Sequence, residues 1–138
     1  MNERAITPIS ESGDFSSRVS QVYNWAEESD RPVFVEGLRG SSRALFISKL
    51  IKNHKSPVVI FTADQNRGEI LLDDLKYFFR HEKTKCLPCF FPAWELLPYE
   101  PLSPLNEISG ERLDVLNRLR SGDAVVLVVP LEAGLQTV

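Results

Sequence analysis

The chain has 138 residues, of which 43% are hydrophobic and 25% charged, the ordinary composition of one globular domain with a buried core. Its formal net charge of -3 excludes the basic excess that is typical of proteins neutralising many nucleic-acid phosphates. Two cysteines exclude a disulfide scaffold, and no apolar run approaches the roughly 20 residues that span a bilayer, so we expect a soluble, cytoplasmic protein without membrane contact.

The first third of the chain predicts a helix, a strand, a loop and a second helix. Residues 1–14 are polar and are expected to be a flexible lead-in, and apolar residues at helical spacing predict a helix from Phe15. The apolar run 33–35 (VFV) predicts a short buried strand that ends at a glycine–serine loop. Helical spacing resumes at Ala44, and the polar residues and proline of 52–57 end that helix.

The same alternation continues to the end of the chain. Three more strands are predicted by apolar runs, at 58–61, 86–91 and 124–129. The last run is the most apolar of the chain and is therefore predicted to be the central strand. Strands that alternate with helices predict an α/β fold of three layers, in which helices cover both faces of a parallel sheet through right-handed crossovers.

Two further helices fill the intervals between these strands. Leu71, Leu75, Phe78 and Phe79 mark the inner face of the first helix. The second is expected to begin at Ser103–Pro104, to bury Ile108, Val115, Leu116 and Leu119, and to end at Gly122. Between the third strand and this helix, the prolines of 91–101 predict an ordered connection that covers the core edge with aromatic residues.

The loop at 37–44 has the spacing of a phosphate-binding loop without its chemistry. An intact G-x-x-x-x-G-K-[ST] motif uses glycines to wrap backbone amides around phosphates, lysine for the terminal phosphates and a hydroxyl for magnesium. The corresponding residues, a degenerate phosphate loop and a possible anion site, are Gly37, Gly40, Ser41, Ser42, Arg43 and Ala44. Ser42 replaces a glycine, Arg43 the lysine and Ala44 the hydroxyl, so we predict no hydrolysis, no catalytic residue and no metal site. A plain strand-to-helix turn, which we prefer, and residual anion binding both stay open.

Three segments resemble the N-terminal module of the transcription-repair coupling factors, itself similar to the first domain of the excision-nuclease subunit UvrB. They are 37–44 (GLRGSSRA), 91–100 (FPAWELLPYE) and 111–113 (ERL), and the likeness runs from about residue 15 to 138. UvrB-like proteins carry an intact phosphate loop and a β-hairpin that clamps damaged DNA. Here only a dozen residues separate Tyr99 from Arg112, which leaves no room for that hairpin. The resemblance implies a UvrB-like domain over 15–138, similar to P-loop NTPases in fold, that stops before a UvrA-binding domain.

The resemblance also implies the setting in which this domain works. It implies a non-catalytic scaffold without a cofactor of its own, which contacts other domains of its parent, carries the UvrA-binding domain that follows and helps to hold the motor at rest. The implied parent uses ATP and Mg²⁺ in separate motor domains to translocate on double-stranded DNA. It displaces stalled RNA polymerase and recruits UvrA for nucleotide excision repair.

Two functions of other classes stay open. A working P-loop ATPase, or a loop with residual ATP binding, would require Arg43 to replace lysine and Ser41 or Ser42 to replace the missing hydroxyl. A thiol oxidoreductase would require a depressed pKa at Cys86 or Cys89, whose C-x-x-C spacing falls in a predicted strand instead of at a helix start.

Several other chemically suggestive residues have simpler interpretations. A zinc site built from His81, Cys86 and Cys89 lacks a clear fourth ligand. Core packing is favoured over base stacking for the aromatic residues Phe90, Phe91, Trp94 and Tyr99. A solvated helix face with local ion pairs is expected for the charged residues Glu107, Glu111, Arg112, Arg118 and Arg120.

Overall fold

The structure, a computed structural model, describes residues 14–28, 31–52, 54, 56–83, 86–94, 106–123 and 125–136. They form two compact units that meet in sequence between Gly37 and Leu38. The helices and strands in chain order are α1 (Phe15–Glu28), α2 (Ser42–Leu50), β1 (Val58–Thr62), α3 (Gln65–Glu82), β2 (Leu87–Phe90), α4 (Asn106–Arg120), β3 (Val125–Pro130) and α5 (Leu131–Leu135). Within these ranges every helix is too short or too polar to span a bilayer.

The described part of the first unit consists of α1 and the segment that follows it up to Gly37. One prediction fails in this segment. The strand expected at 33–35 is wrong, because 32–37 have no regular structure and Phe34 is 71% exposed. The run is only three residues long. Pro32 precedes it without an N–H for a sheet ladder, and Gly37 follows it with a φ of +84°, outside the range of an extended strand.

The second unit is built on a parallel sheet of three strands in the order β1-β3-β2. Val126 of β3 is level with Val58 of β1, and Val125 is level with Leu87 of β2. Every residue of β3 is buried. The prediction that the run near 124–129 forms the central strand is therefore confirmed over the residues that the structure describes.

Helices cover both faces of this sheet, as predicted. On one face α2 and α3 enclose the first core, whose buried members are Ala44, Ile51, Leu72, Leu75, Phe79, Cys86, Val126 and Val128. On the other face α4 and α5 enclose the second core, whose buried members are Phe91, Ala93, Val115, Leu127, Val129 and Ala133. Successive side chains of β3 alternate between the two cores, because side chains in a strand point to opposite faces.

Local signals in the sequence set the ends of α3. At the first end Asp64 accepts a hydrogen bond from the backbone N–H of Arg67 at 2.8 Å, which caps the helix. At the other end Lys83 has a left-handed φ of +52° and follows Glu82, whose carboxylate binds the ammonium groups of Lys49 at 2.5 Å and Lys52 at 3.1 Å. These charges join the ends of α2 and α3 and hold the pKa of Glu82 below its ordinary value.

Some predictions concern residues outside the described ranges. They include residues 1–13 of the lead-in, Tyr99 with most of the proline-rich connection, and the helix start at Ser103–Pro104. The described part of α4 runs to Arg120 and is followed by Gly122 with a φ of +77°, which agrees with the predicted helix end.

At Gly68 α3 lies close to side chains of β1 and β2, and alanine should not fit there. An added Cβ would lie 2.8 Å from Cε2 of Phe90 and 3.0 Å from Oγ1 of Thr62. This hydroxyl donates a hydrogen bond to the backbone oxygen of Asp64, which holds it in place. We expect Gly68→Ala to lower the free energy of unfolding by about 1–3 kcal/mol through overpacking.

The matched control is Gly110→Ala in α4, where nothing lies within 4 Å of the added Cβ. There the gain in helix propensity should raise the free energy of unfolding by about 0.5–1 kcal/mol. Urea unfolding of both variants measures the difference. Equal stabilisation by the two substitutions would show that α3 does not pack this closely on β2.

Candidate functional site

The loop in front of α2 is closed by its own side chains. Oγ of Ser42 accepts a hydrogen bond from the backbone N–H of Arg39 at 2.8 Å and donates one to the backbone oxygen of Arg39 at 2.6 Å. Nε of Arg43 donates to the backbone oxygen of Leu38 at 3.4 Å. Ser41 precedes α2 without a side-chain capping bond, and Gly40 turns the loop with a φ of +52°. The residues that replace glycine and lysine of the motif therefore bind the loop backbone.

Ala44 stands where a phosphate-binding loop has its magnesium-ligating hydroxyl. Its exposed fraction is 0%, and its side chain belongs to the first core together with Ile51 and Leu75. A hydroxyl in this position would have to be buried among apolar side chains, at a cost unless it found a hydrogen-bond partner. The alanine at this position therefore also serves the packing of α2 on the sheet.

The residues that follow β1 and β3 do not complete a magnesium site. The carboxylate of Asp64, after β1, caps α3 and lies 3.3 Å from Nε of Arg67. Strand β3 ends at Pro130 and is followed by Leu131, neither of which has a carboxylate, and Glu132 comes next in the first turn of α5. Among the described residues no group of three His, Cys, Asp or Glu side chains is arranged to hold a metal ion.

The two cysteines lie on opposite faces of the sheet. Cys86 is buried in the first core just before β2, whereas Cys89 packs against the second core. Both are free thiols, and burial raises the pKa of each. A redox pair needs an accessible thiolate at lowered pKa, so this arrangement opposes thiol–disulfide chemistry.

Arg112 overturns an expectation, because it does not lie on a solvated helix face. It is only 1% exposed, and its guanidinium carbon lies 4.1 Å from the ring centre of Phe91 and 4.5 Å from that of Trp94. Its Nη1 donates a hydrogen bond to the backbone oxygen of Pro92 at 2.8 Å. The same helix carries the expected type of ion pair at Arg118, whose Nε lies 2.8 Å from the carboxylate of Asp114.

The helical spacing of α4 contains the signal that sequence reasoning missed. Arg112 precedes Val115, Leu116 and Leu119 by three, four and seven residues, which places it on the same stripe as these core residues. A charged residue on an apolar stripe indicates either a buried cation or a break in the core. In the structure the first alternative holds, since Arg112 is a buried cation.

The residues that surround the guanidinium are held in place by hydrogen bonds to their backbone atoms. The backbone N–H of Phe91 donates to the backbone oxygen of Val128 at 2.9 Å, which continues the pairing of β2 with β3. The side-chain amide of Gln136 accepts from the N–H of Trp94 at 2.7 Å and donates to its oxygen at 3.4 Å. Phe91 is buried and Trp94 half-buried, which agrees with the expected core packing of these aromatics.

The sequence is similar to proteins that link transcription to repair. Over 127 residues, 92% of this chain, it is 30% identical to the transcription-repair-coupling factor of Bacillus subtilis. Over 101 residues, 73% of this chain, it is 30% identical to the protein of the same name from Escherichia coli. This chain is a relative of the transcription-repair-coupling factors.

The resemblance found in the motifs of the sequence is thereby confirmed across most of the chain. The transcription-repair-coupling factor of Myxococcus xanthus gives the same result, with 30% identity over 65% of this chain. The aligned residues span only 10%, 8% and 8% of the lengths of the three relatives. No profile of a protein family matches the chain.

The raised pKa of the two thiols predicts how they react. Alkylation by iodoacetamide requires the thiolate, so its rate should rise with pH around a midpoint above that of the same chain unfolded in urea. Mass spectrometry of Cys86→Ser and Cys89→Ser measures the remaining thiol in each variant. A midpoint below that of the unfolded chain at either cysteine would revive the oxidoreductase hypothesis.

Proposed function

We propose that this chain is a non-catalytic scaffold domain of a transcription-repair coupling factor. The observation that carries the proposal is Ala44, whose side chain fills the first core where a nucleotide-hydrolysing loop needs a hydroxyl. The relationship to proteins named for coupling transcription to repair supplies the biological setting.

Hydrolysis of ATP depends on cations positioned around the phosphates, and this loop has few of the side chains that would position them. Magnesium takes oxygen ligands in octahedral geometry and usually relies on a hydroxyl or carboxylate beside the loop. The side chain of Ala44 has no oxygen, and the carboxylate of Asp64 accepts a hydrogen bond at the start of α3. Arg43 would have to leave the backbone of Leu38 to reach a phosphate.

In this proposal the domain is a UvrB-like domain over 15–138, similar to P-loop NTPases in fold and lacking their chemistry. Support comes from the three-layer α/β architecture of the second unit and from the three motifs that resemble the family. The domain carries the neighbouring UvrA-binding domain, contacts other domains of the parent and helps to keep the motor at rest. It works in the cytoplasm.

The activities of the whole parent are part of the same proposal. The chain spans about a tenth of the length of the relatives it matches. We infer that other domains bind ATP and Mg²⁺, translocate on DNA, displace stalled RNA polymerase and recruit UvrA. The net charge of -3 favours such a division, since this chain has no basic excess for DNA.

The rival function is residual nucleotide or anion binding by the loop. The turn at Gly40 and the start of α2 retain the spacing of a phosphate-binding loop, and Arg39 is exposed beside them. Backbone N–H groups at a helix start attract anions even without the lysine. Binding of this kind would leave the chain non-catalytic but would give it a ligand.

Calorimetric titration of the purified chain with ATP and Mg²⁺ separates these functions. We expect no saturable heat at millimolar nucleotide, and the same result for Arg43→Ala, because the wild-type side chain already binds its own loop. Inorganic phosphate in place of ATP tests for anion binding alone. Saturable, magnesium-dependent binding that Arg43→Ala abolishes would contradict the scaffold proposal.

A further inference from the structure

Arg112 lies at the edge of the sheet where parallel α/β folds bind ligands. The segment 91–94 that surrounds its guanidinium follows directly from the carboxyl end of β2, and Gln136, which holds Trp94, follows β3 and α5. In open parallel sheets ligands bind beyond the carboxyl ends of the strands. This position is separate from the loop at 38–44, and no part of the proposed function uses it.

The guanidinium has hydrogen-bonding capacity that the described residues do not fill. Nη1 donates to the oxygen of Pro92, whereas Nε and Nη2 are buried and have no hydrogen-bond partner in the described part of the chain. Nε and Nη2 form one edge of the planar group, and their two N–H bonds are parallel. This edge matches the two oxygens of a carboxylate in the bidentate pairing that arginine favours.

The rings of Phe91 and Trp94 stabilise the positive charge but do not replace this partner. A ring face attracts a cation, but it offers no lone pairs to N–H groups directed past it. A buried donor without an acceptor costs free energy, and a buried charge costs more unless an opposite charge accompanies it. Arginine does not escape by losing its proton, even though burial lowers its pKa.

We propose that the Nε–Nη2 edge of Arg112 is a binding site for one carboxylate. The acidic residues next to it on α4 do not fill the site, since Glu111 is exposed and Asp114 is paired with Arg118. The carboxylate comes either from another acidic residue of the protein or from a separate carboxylic acid.

A single carboxylate fits the charge of the site better than a phosphate does. Phosphate groups carry between one and two negative charges at neutral pH and are usually bound by several cations. Here one guanidinium is buried, and the rings of Phe91 and Trp94 beside it add no second positive charge. Phosphate is therefore the matched negative control for the experiment.

Nitrogen-15 NMR of arginine Nε–H groups in the whole chain tests the proposal directly. Arg112→Lys and Arg118→Lys assign the two resonances by the loss of a single peak each. The first measurement replaces each of the 19 Asp and Glu residues by its amide, one variant at a time. If the carboxylate belongs to the protein, one variant should shift the Arg112 resonance and leave that of Arg118 in place.

Asp114→Asn supplies the positive control of this series, because it removes the partner of Arg118 and should shift the Arg118 resonance alone. The second measurement titrates the wild-type chain with sodium acetate at constant ionic strength. A saturable shift of the Arg112 resonance, without an equal response to phosphate, identifies an external carboxylate. The proposal is overturned if no amide variant and no acetate concentration moves this resonance, or if phosphate moves it as acetate does.

Discussion

The two-sided burial of β3 is the constraint on which the rest of the second unit depends. Its backbone pairs with β1 on one side and β2 on the other, and its side chains alternate between two cores. A strand without a solvent-exposed face must be apolar at every position, as the run VVLVVP is. Any polar substitution in β3 would bury a polar group in one of the cores.

The same constraint explains what the carboxyl edge of the sheet can offer. Because α2 must pack against the first core, Ala44 belongs to that core and is unavailable to a ligand. Because α4 must pack against the second core, Arg112, which lies on the apolar stripe of α4, is brought into contact with the segment that follows β2. The chemistry found there is thus a buried cation against aromatic residues beside the second core, whereas the loop whose spacing suggests nucleotide binding leads into the first core.

The sequence is informative where structure is decided by short-range patterns. Long helices such as α3 and the fully apolar β3 follow from periodicity and composition, and the degenerate loop follows from a comparison of single residues with a motif. The run 33–35 is different, because strand formation needs a partner that its composition does not specify. The burial of Arg112 is also hard to predict, because the charge of an arginine normally favours an exposed position. Only its position on the same helix stripe as Val115 and Leu119 indicates that it is buried.

Native-state hydrogen exchange of the β3 backbone amides tests this account most directly. If β3 organises both cores, the amides of 126–128 should exchange only through global unfolding, with a free energy of opening equal to that of unfolding in urea. Their exchange should be the slowest among the described residues of the second unit. Exchange from β3 that is faster than exchange from α2 or α4 would contradict the account, because the two helical layers would then persist without the strand between them.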